Sequence, residues 1–227
     1  MATANKSGNL YLKLVPIMLS FFAMSFVDLV GTGTNFIKKD FGLSDTMAGL
    51  FPLMVFLWFL IFSVPTGLLM NRIGRRKTVL ISLVVTALAL LLPVLTIPMP
   101  HNTASFTIML VSFCLLGIGN AIMQVSLNPL LSNIVHGDRL ASALTLGQFV
   151  KAIGSFVAPI IAGWAALEFG NWKLLYPIFT GISILAVLSL GVTKIEEEDE
   201  KGEASTFRQC LALLGNGFVL LAFLGIV

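Results

Sequence analysis

Apolar runs long enough to cross a bilayer recur from one end of this chain to the other, and nothing constrains its fold more. About 20 helical residues span a hydrocarbon core about 30 Å thick. Runs of that kind cover roughly 11–37, 45–71, 76–98, 104–135, 140–168 and 173–193, and a seventh begins near Arg208 and is still apolar at Val227. Lipid satisfies no backbone polar group, so each run is read as a helix. Hydrophobic residues make up 57% of the chain and charged residues 11%, against about 25% charged in a soluble domain. The expected fold is an all-α membrane protein. A six-transmembrane-helix bundle covers 1–193, an acidic linker 194–207, and the start of a seventh, truncated helix 208–227. The expectation is the first half of a larger protein.

Orientation follows from the lysines and arginines. Lys6, Lys13, Arg72, Arg75, Arg76, Lys77, Arg139, Lys194, Lys201 and Arg208 fall on one side; Lys38, Lys39 and Lys173 fall on the other. The positive-inside bias puts the richer side, with the N-terminus, in the cytoplasm. The acids Glu196–Glu200 are read as a solvated cytoplasmic linker.

An internal repeat is visible. Gly67, Gly74 and Lys77 recur as Gly163, Gly170 and Lys173, each 96 residues on (163 − 67 = 96). The same shift carries Asp28 onto Gln124. Three helices is an odd number, so the second copy is inverted, a plan known in transporters.

Asp28 and Lys151 are the only acid and base deep inside apolar segments. A charge at mid-membrane costs about 2.5–3.5 kcal/mol on insertion scales. Polar stripes accompany them: Asp28, Thr32 and Asn35 in helix 1; Asn120, Gln124, Asn128 and Ser132 in helix 4; Thr145, Gln148, Lys151 and Ser155 in helix 5. Interhelical hydrogen-bond glue, at about 0.6 kcal/mol per bond, explains one or two such residues. It explains poorly three stripes several turns long with two ionisable groups. A water-lined substrate cavity explains them better. Pro129 adds to it, since it removes a donor inside helix 4 and frees a carbonyl near Val125. Pro159, Gly154, Ala158, Ala162 and Gly163 are read as close helix packing.

Other classes find little support. There is no G-x-S-x-G, H-E-x-x-H or C-x-x-C, and Gly31-Thr-Gly33 and Gly117-Ile-Gly119 lie inside spans and lack a third glycine. His101 and His136 look isolated. Cys114 and Cys210 share no metal spacing and read as packing residues. No enzyme activity, cofactor or metal is expected. The basic residues are spread over loops, so no nucleic-acid partner is expected either.

Between helices 2 and 3 stand Gly67, Asn71, Arg72, Gly74, Arg75, Arg76 and Lys77. The pattern resembles the loop signature of the major facilitator superfamily: a glycine, an acid four residues on, then a basic–glycine–basic cluster. Asn71 stands where the family usually has Asp. The resemblance covers essentially the whole chain and implies the N-terminal half of a twelve-helix fold. Phe26-Val-Asp28, Gln124-Val-Ser-Leu-Asn128-Pro129 and Gln148-Phe-Val-Lys151-Ala-Ile-Gly154-Ser155 look like the fucose–proton symporter family. Asp28, Asn128 and Gln148 match residues that the family places in its sugar cavity. Gln124 replaces the family's helix 4 acid and Lys151 its helix 5 Asn. The resemblance implies a secondary active transporter in a bacterial inner membrane, moving a sugar by alternating access with proton coupling. Its partners would be a small-molecule sugar, a proton, the lipid bilayer and a C-terminal half. The substrate-binding set is Asp28, Gln124, Asn128, Gln148, Lys151, Asn120, Thr32 and Asn35, with Asp28 and Lys151 the proton-coupling pair. Two alternatives stand beside it: an anionic solute such as a sugar acid held by Lys151, and a membrane sensor that does not transport.

Overall fold

The computed structural model describes residues 2–197 and 212–224. Among these it holds helices and no strand. They are α1 (Ala2–Met24), α2 (Leu29–Phe41), α3 (Asp45–Ala48), α4 (Leu50–Ile73), α5 (Arg75–Leu95), α6 (Thr103–Ser132), α7 (Arg139–Phe169), α8 (Leu175–Val192) and α9 (Gly217–Leu224). Six segments are long and apolar enough to cross a membrane: Leu12–Phe41, Asp45–Ile73, Arg75–Leu95, Thr103–Ser132, Arg139–Phe169 and Trp172–Val192. They fall on the six expected runs. The third ends three residues early, because Pro93 and the Thr96 turn close the helix at Leu95. Of the seventh, residues 208–211 and 225–227 lie outside the described residues, as does the linker beyond 197.

The first span is not uniform. Residues Ser25–Asp28 form a 3-10 turn between α1 and α2, with helical dihedrals at Met24 (−61°, −25°) and Asp28 (−70°, −10°). The helix tightens without breaking. A 3-10 stretch inside a helix often marks a functional position, and Asp28 sits at the end of this one.

The repeat has a physical counterpart. Helix α4 ends at Ile73 on Gly74 with φ +90°, and α7 ends at Phe169 on Gly170 with φ +64°. Both glycines supply a positive φ that an L side chain resists, and they stand 96 residues apart (170 − 74 = 96).

Helix α6 packs against both α4 and α5, α5 against α8, and α1 against α7 and α8. Small residues set the closest approaches, as in membrane bundles generally. A Cβ on Gly117 would stand 2.4 Å from the Val55 carbonyl oxygen of α4, and one on Gly119 would stand 2.6 Å from Thr86 Oγ1 of α5. On α7, a Cβ on Gly154 would lie 2.0 Å from Ser25 Oγ. Gly154 therefore draws α7 onto the 3-10 turn. Ala158 and Ala162 continue that buried seam. Gly163 does not, since nothing lies within 4 Å of its Cβ position, and Pro159 is exposed.

His101 is not isolated. Its Nε2 lies 3.7 Å from Asp40 Oδ2, which also accepts a 2.8 Å hydrogen bond from Trp172 Nε1. The aromatic rings of Phe41 and His101 meet edge to face. These contacts pin the starts of α6 and α8 beside the end of α2. Lys173, expected as a loop charge, is buried close by, with Nζ 5.9 Å from the Phe41 ring centre.

Candidate functional site

The site is built on the 3-10 turn, which packs against both α6 and α7. Asp28 Oδ2 accepts a 2.5 Å hydrogen bond from Ser155 Oγ and stands 3.8 Å from Lys151 Nζ. Lys151 and Ser155 are four residues apart on α7, so one helix face delivers both. The close approach at Gly154 sets their distance from the turn. Asp28 Oδ1 accepts no hydrogen bond among the described residues, which leaves half of the carboxylate available.

The ion pair is loose. At 3.8 Å, with the Asp28 side chain 39% and the Lys151 side chain 21% exposed, it resembles accessible pairs worth about 0–1 kcal/mol. Such a pair opens readily. Ser155 had stood only as a stripe member in the sequence; the structure makes it the closest partner of Asp28.

Of the other candidates, Gln124 of α6, Gln148 of α7 and Asn35 of α2 are exposed, and Thr32 and Asn128 are half-buried. None of the three exposed amides has a hydrogen bond among the described residues. Asn128 Oδ1 is buried and unpartnered, an acceptor without a donor next to Pro129. Helix α6 runs through Pro129 to Ser132.

Asn120 departs from the expected stripe. It is 3% exposed and inside the bundle. An α-helix has 3.6 residues per turn, so each step of four residues advances about 40° beyond a full turn. From Asn120 to Ser132 the row winds through about 120°. Along it Asn120 is buried, Gln124 is exposed, and Asn128 and Ser132 are half-buried.

The basic hairpin holds a second departure. The expected solvated linker begins with a seated carboxylate. Glu197 Oε2 and Oε1 accept hydrogen bonds, each 2.6 Å, from the backbone N–H groups of Arg75 and Arg76, the first two residues of α5. Orphan donors and the dipole at a helix N-terminus favour such a carboxylate. Gly74 makes room for it, since a Cβ there would stand 2.6 Å from Glu197 Oε2. Arg76 Nη2 donates to Leu190 O (3.0 Å) and Gly191 O (2.7 Å) near the end of α8. Arg75 Nη1 donates to Asn133 Oδ1 at 3.1 Å, and Asn133 Nδ2 donates to Glu196 O at 2.9 Å. Asn71 and Arg72 are exposed, and nothing lies within 4 Å of a Cβ on Gly67. The hairpin thus clasps α5, α6, α8 and the first linker residues together. Glu197→Ala is expected to cost about 1–2 kcal/mol, the size of a lost helix cap, and to lower the thermal midpoint. Glu197→Gln, which keeps one acceptor, should lose less. Thermal unfolding in detergent checks both.

Comparison with known proteins identifies the family and the fold. The sequence pattern of the Major Facilitator Superfamily matches residues 17–227. The glucose/galactose transporter of Brucella abortus (strain 2308) is 29% identical over 126 residues, 55% of this chain and 29% of that one. The lysosomal dipeptide transporter MFSD1 of Bos taurus is 25% identical over 187 residues, 82% of this chain and 38% of that one. Among solved structures, the E. coli fucose:proton symporter FucP superposes with a TM-score of 0.68 at 16% identity, covering 89% of this chain and 55% of that one. The inward-open xylose transporter XylE from E. coli gives 0.71 at 15% identity, covering 96% and 55%. At these identities the two structures show the fold. The chain spans about half the length of the solved transporters and less of the curated relatives. The family and these relatives are transporters, not enzymes. With six apolar spans, the helix-terminating glycines of the repeat and a match over most of its length, the chain belongs to the major facilitator superfamily and is an integral, multi-pass membrane protein.

Proposed function

We propose that this chain is the N-terminal six-helix half of a proton-coupled sugar symporter. It would work by alternating access in a bacterial inner membrane, with the hairpin clasp and the N-terminus in the cytoplasm. The observation that carries the reading is Asp28. It is a carboxylate on a tightened helix turn, held through one oxygen by Ser155 and loosely by Lys151, while the other oxygen accepts no hydrogen bond among the described residues. An acid so placed can take a proton when the Lys151 contact opens and release it when the contact closes. The exposed amides of Gln124, Gln148 and Asn35, together with Asn128, suit a polyhydroxylated ligand, because each amide offers both donor and acceptor. Substrate would lie at mid-membrane against a C-terminal half. The sugar-transporting relatives support the substrate class.

A second reading draws on Lys151. Its ammonium is only loosely held, so it can serve a substrate carboxylate, as in a sugar acid. The relative named as a dipeptide transporter fits a ligand of that kind. Uptake of neutral sugars and sugar acids into proteoliposomes bearing the intact transporter separates the two. On the first reading neutral sugars are taken up and Lys151→Gln leaves their half-saturating concentration within a few-fold. If only carboxylated solutes enter, and Lys151→Gln abolishes their uptake, the second reading holds. Ligand-dependent signalling with no net flux of any solute would point to a sensor.

A further inference from the structure

We infer that Ser155 is a positioning residue for the Asp28 proton: its hydroxyl holds the carboxyl group in both protonation states by turning between two acceptors, and so sets the pH range over which Asp28 exchanges its proton. The inference rests on the reading of Asp28 as the proton carrier. Ser155 Oγ lies 2.5 Å from Asp28 Oδ2 and 3.1 Å from the main-chain carbonyl oxygen of Lys151. A hydroxyl has one hydrogen to donate and can also accept. Ser20 and Ser126 each donate theirs to a carbonyl of their own helix four residues back. Ser155 has such a carbonyl and a carboxylate within reach at once.

The backbones beside the pair are in contact. Ser25 and Asp28 lie three residues apart on the 3-10 turn, one turn of such a helix. Gly154, the neighbour of Ser155, lies against Ser25, where an added Cβ would stand 2.0 Å from Ser25 Oγ. Ser25 Oγ in turn donates to Phe22 O at 2.6 Å. Lys151 is the charged group that faces Asp28. Other acids and bases of α1, α2 and α7 stand about 15 Å or more along their helices from the pair, the nearest on each being Lys13, Lys38 and Arg139. The turn also touches α6 and, through Phe26 stacked on Phe179, α8. Their only titratable side chains are Cys114 and Tyr176.

While Asp28 is ionised, the serine hydrogen points at Oδ2. That charge-assisted bond is about twice as strong as a neutral one and favours the ionised form. A proton arriving on Oδ2 reverses the direction of the bond. Asp28 then donates to Ser155 Oγ, and the hydroxyl turns its own hydrogen to Lys151 O. The arriving proton stays on Asp28 and the serine hydrogen stays on Oγ, so only a rotor moves. Both states keep a hydrogen bond, but the ionised one is held more firmly. Without the hydroxyl that preference is lost, and Asp28 keeps its proton to higher pH.

The test reads Asp28 itself, with the proton as the probe. Infrared spectra of the intact transporter in lipid are followed across pH, and the carboxylic C=O stretch of Asp28 is assigned by its absence in Asp28→Asn. In Ser155→Ala the band is expected to persist to a pH about one unit higher than in the wild type. Ser155→Thr keeps the hydroxyl and should restore the wild-type midpoint. An unmoved midpoint in Ser155→Ala, or a shift of the same size in Ser155→Thr, would overturn the inference while leaving Asp28 as a group that titrates. If no titrating carboxyl band is lost in Asp28→Asn, Asp28 is not the carrier, and both readings fail.

Discussion

Asp28→Asn is expected to abolish uphill accumulation of substrate while leaving exchange of substrate across the membrane in place. The amide keeps the shape of the carboxylate and an oxygen for Ser155, which now bonds it at 2.5 Å. It cannot carry a proton and cannot pair with Lys151. On the proposed mechanism the proton is the only link between the gradient and the solute, so accumulation should fall to the equilibrium level. Exchange, which needs binding and reorientation alone, should persist within about tenfold, allowing about 1.4 kcal/mol for the altered contact. Counterflow and gradient-driven uptake in the same proteoliposomes separate the two effects. Loss of both together would make Asp28 a binding residue and no carrier.

The second large effect is structural. Gly117→Val should prevent stable folding or lower the thermal midpoint sharply. The obstruction is backbone: the new Cβ would meet Val55 O at 2.4 Å and Val55 Cα at 2.8 Å, so no rotamer relieves it. Helices α4 and α6 would have to separate, and overpacking of this kind costs typically about 1–3 kcal/mol, sometimes more. Gly181 on α8 is the control. It is exposed, with nothing within 4 Å of its Cβ position, so Gly181→Ala should leave stability unchanged or raise it slightly, as Ala is the better helix former. Thermal unfolding of the three proteins in one detergent decides it. Equal midpoints for Gly117→Val and Gly181→Ala would mean that α4 and α6 are not in backbone contact.

Much of this was legible in the residues. The spans announce themselves by length, and Gly74 and Gly170 mark the repeat because helix termination needs particular backbone chemistry. Asp28 and Lys151 were found as the lone opposite charges in apolar segments, and they meet. Asn120 shares a four-residue row with Gln124 in the sequence, yet it is buried and Gln124 exposed, a difference set by the neighbouring helices and not by spacing. Glu197 and the Asp40–His101–Trp172 contacts were not legible at all. They join residues more than 60 positions apart in sequence, and a charge in a loop does not say which helix end it will find. Ser155 was visible as a stripe member, but its bond to Asp28 depends on the close approach at Gly154, which only packing reveals.

Substrate-driven proton movement tests the central claim most directly. A pH-sensitive dye trapped in proteoliposomes bearing the intact transporter reports proton entry when a neutral sugar is added outside with no imposed gradient. The account predicts internal acidification with a transported sugar, none with an untransported one, and none with Asp28→Asn. Sugar entry at full rate without acidification would contradict it, and would leave Asp28 and Lys151 as a fixed pair in a facilitator.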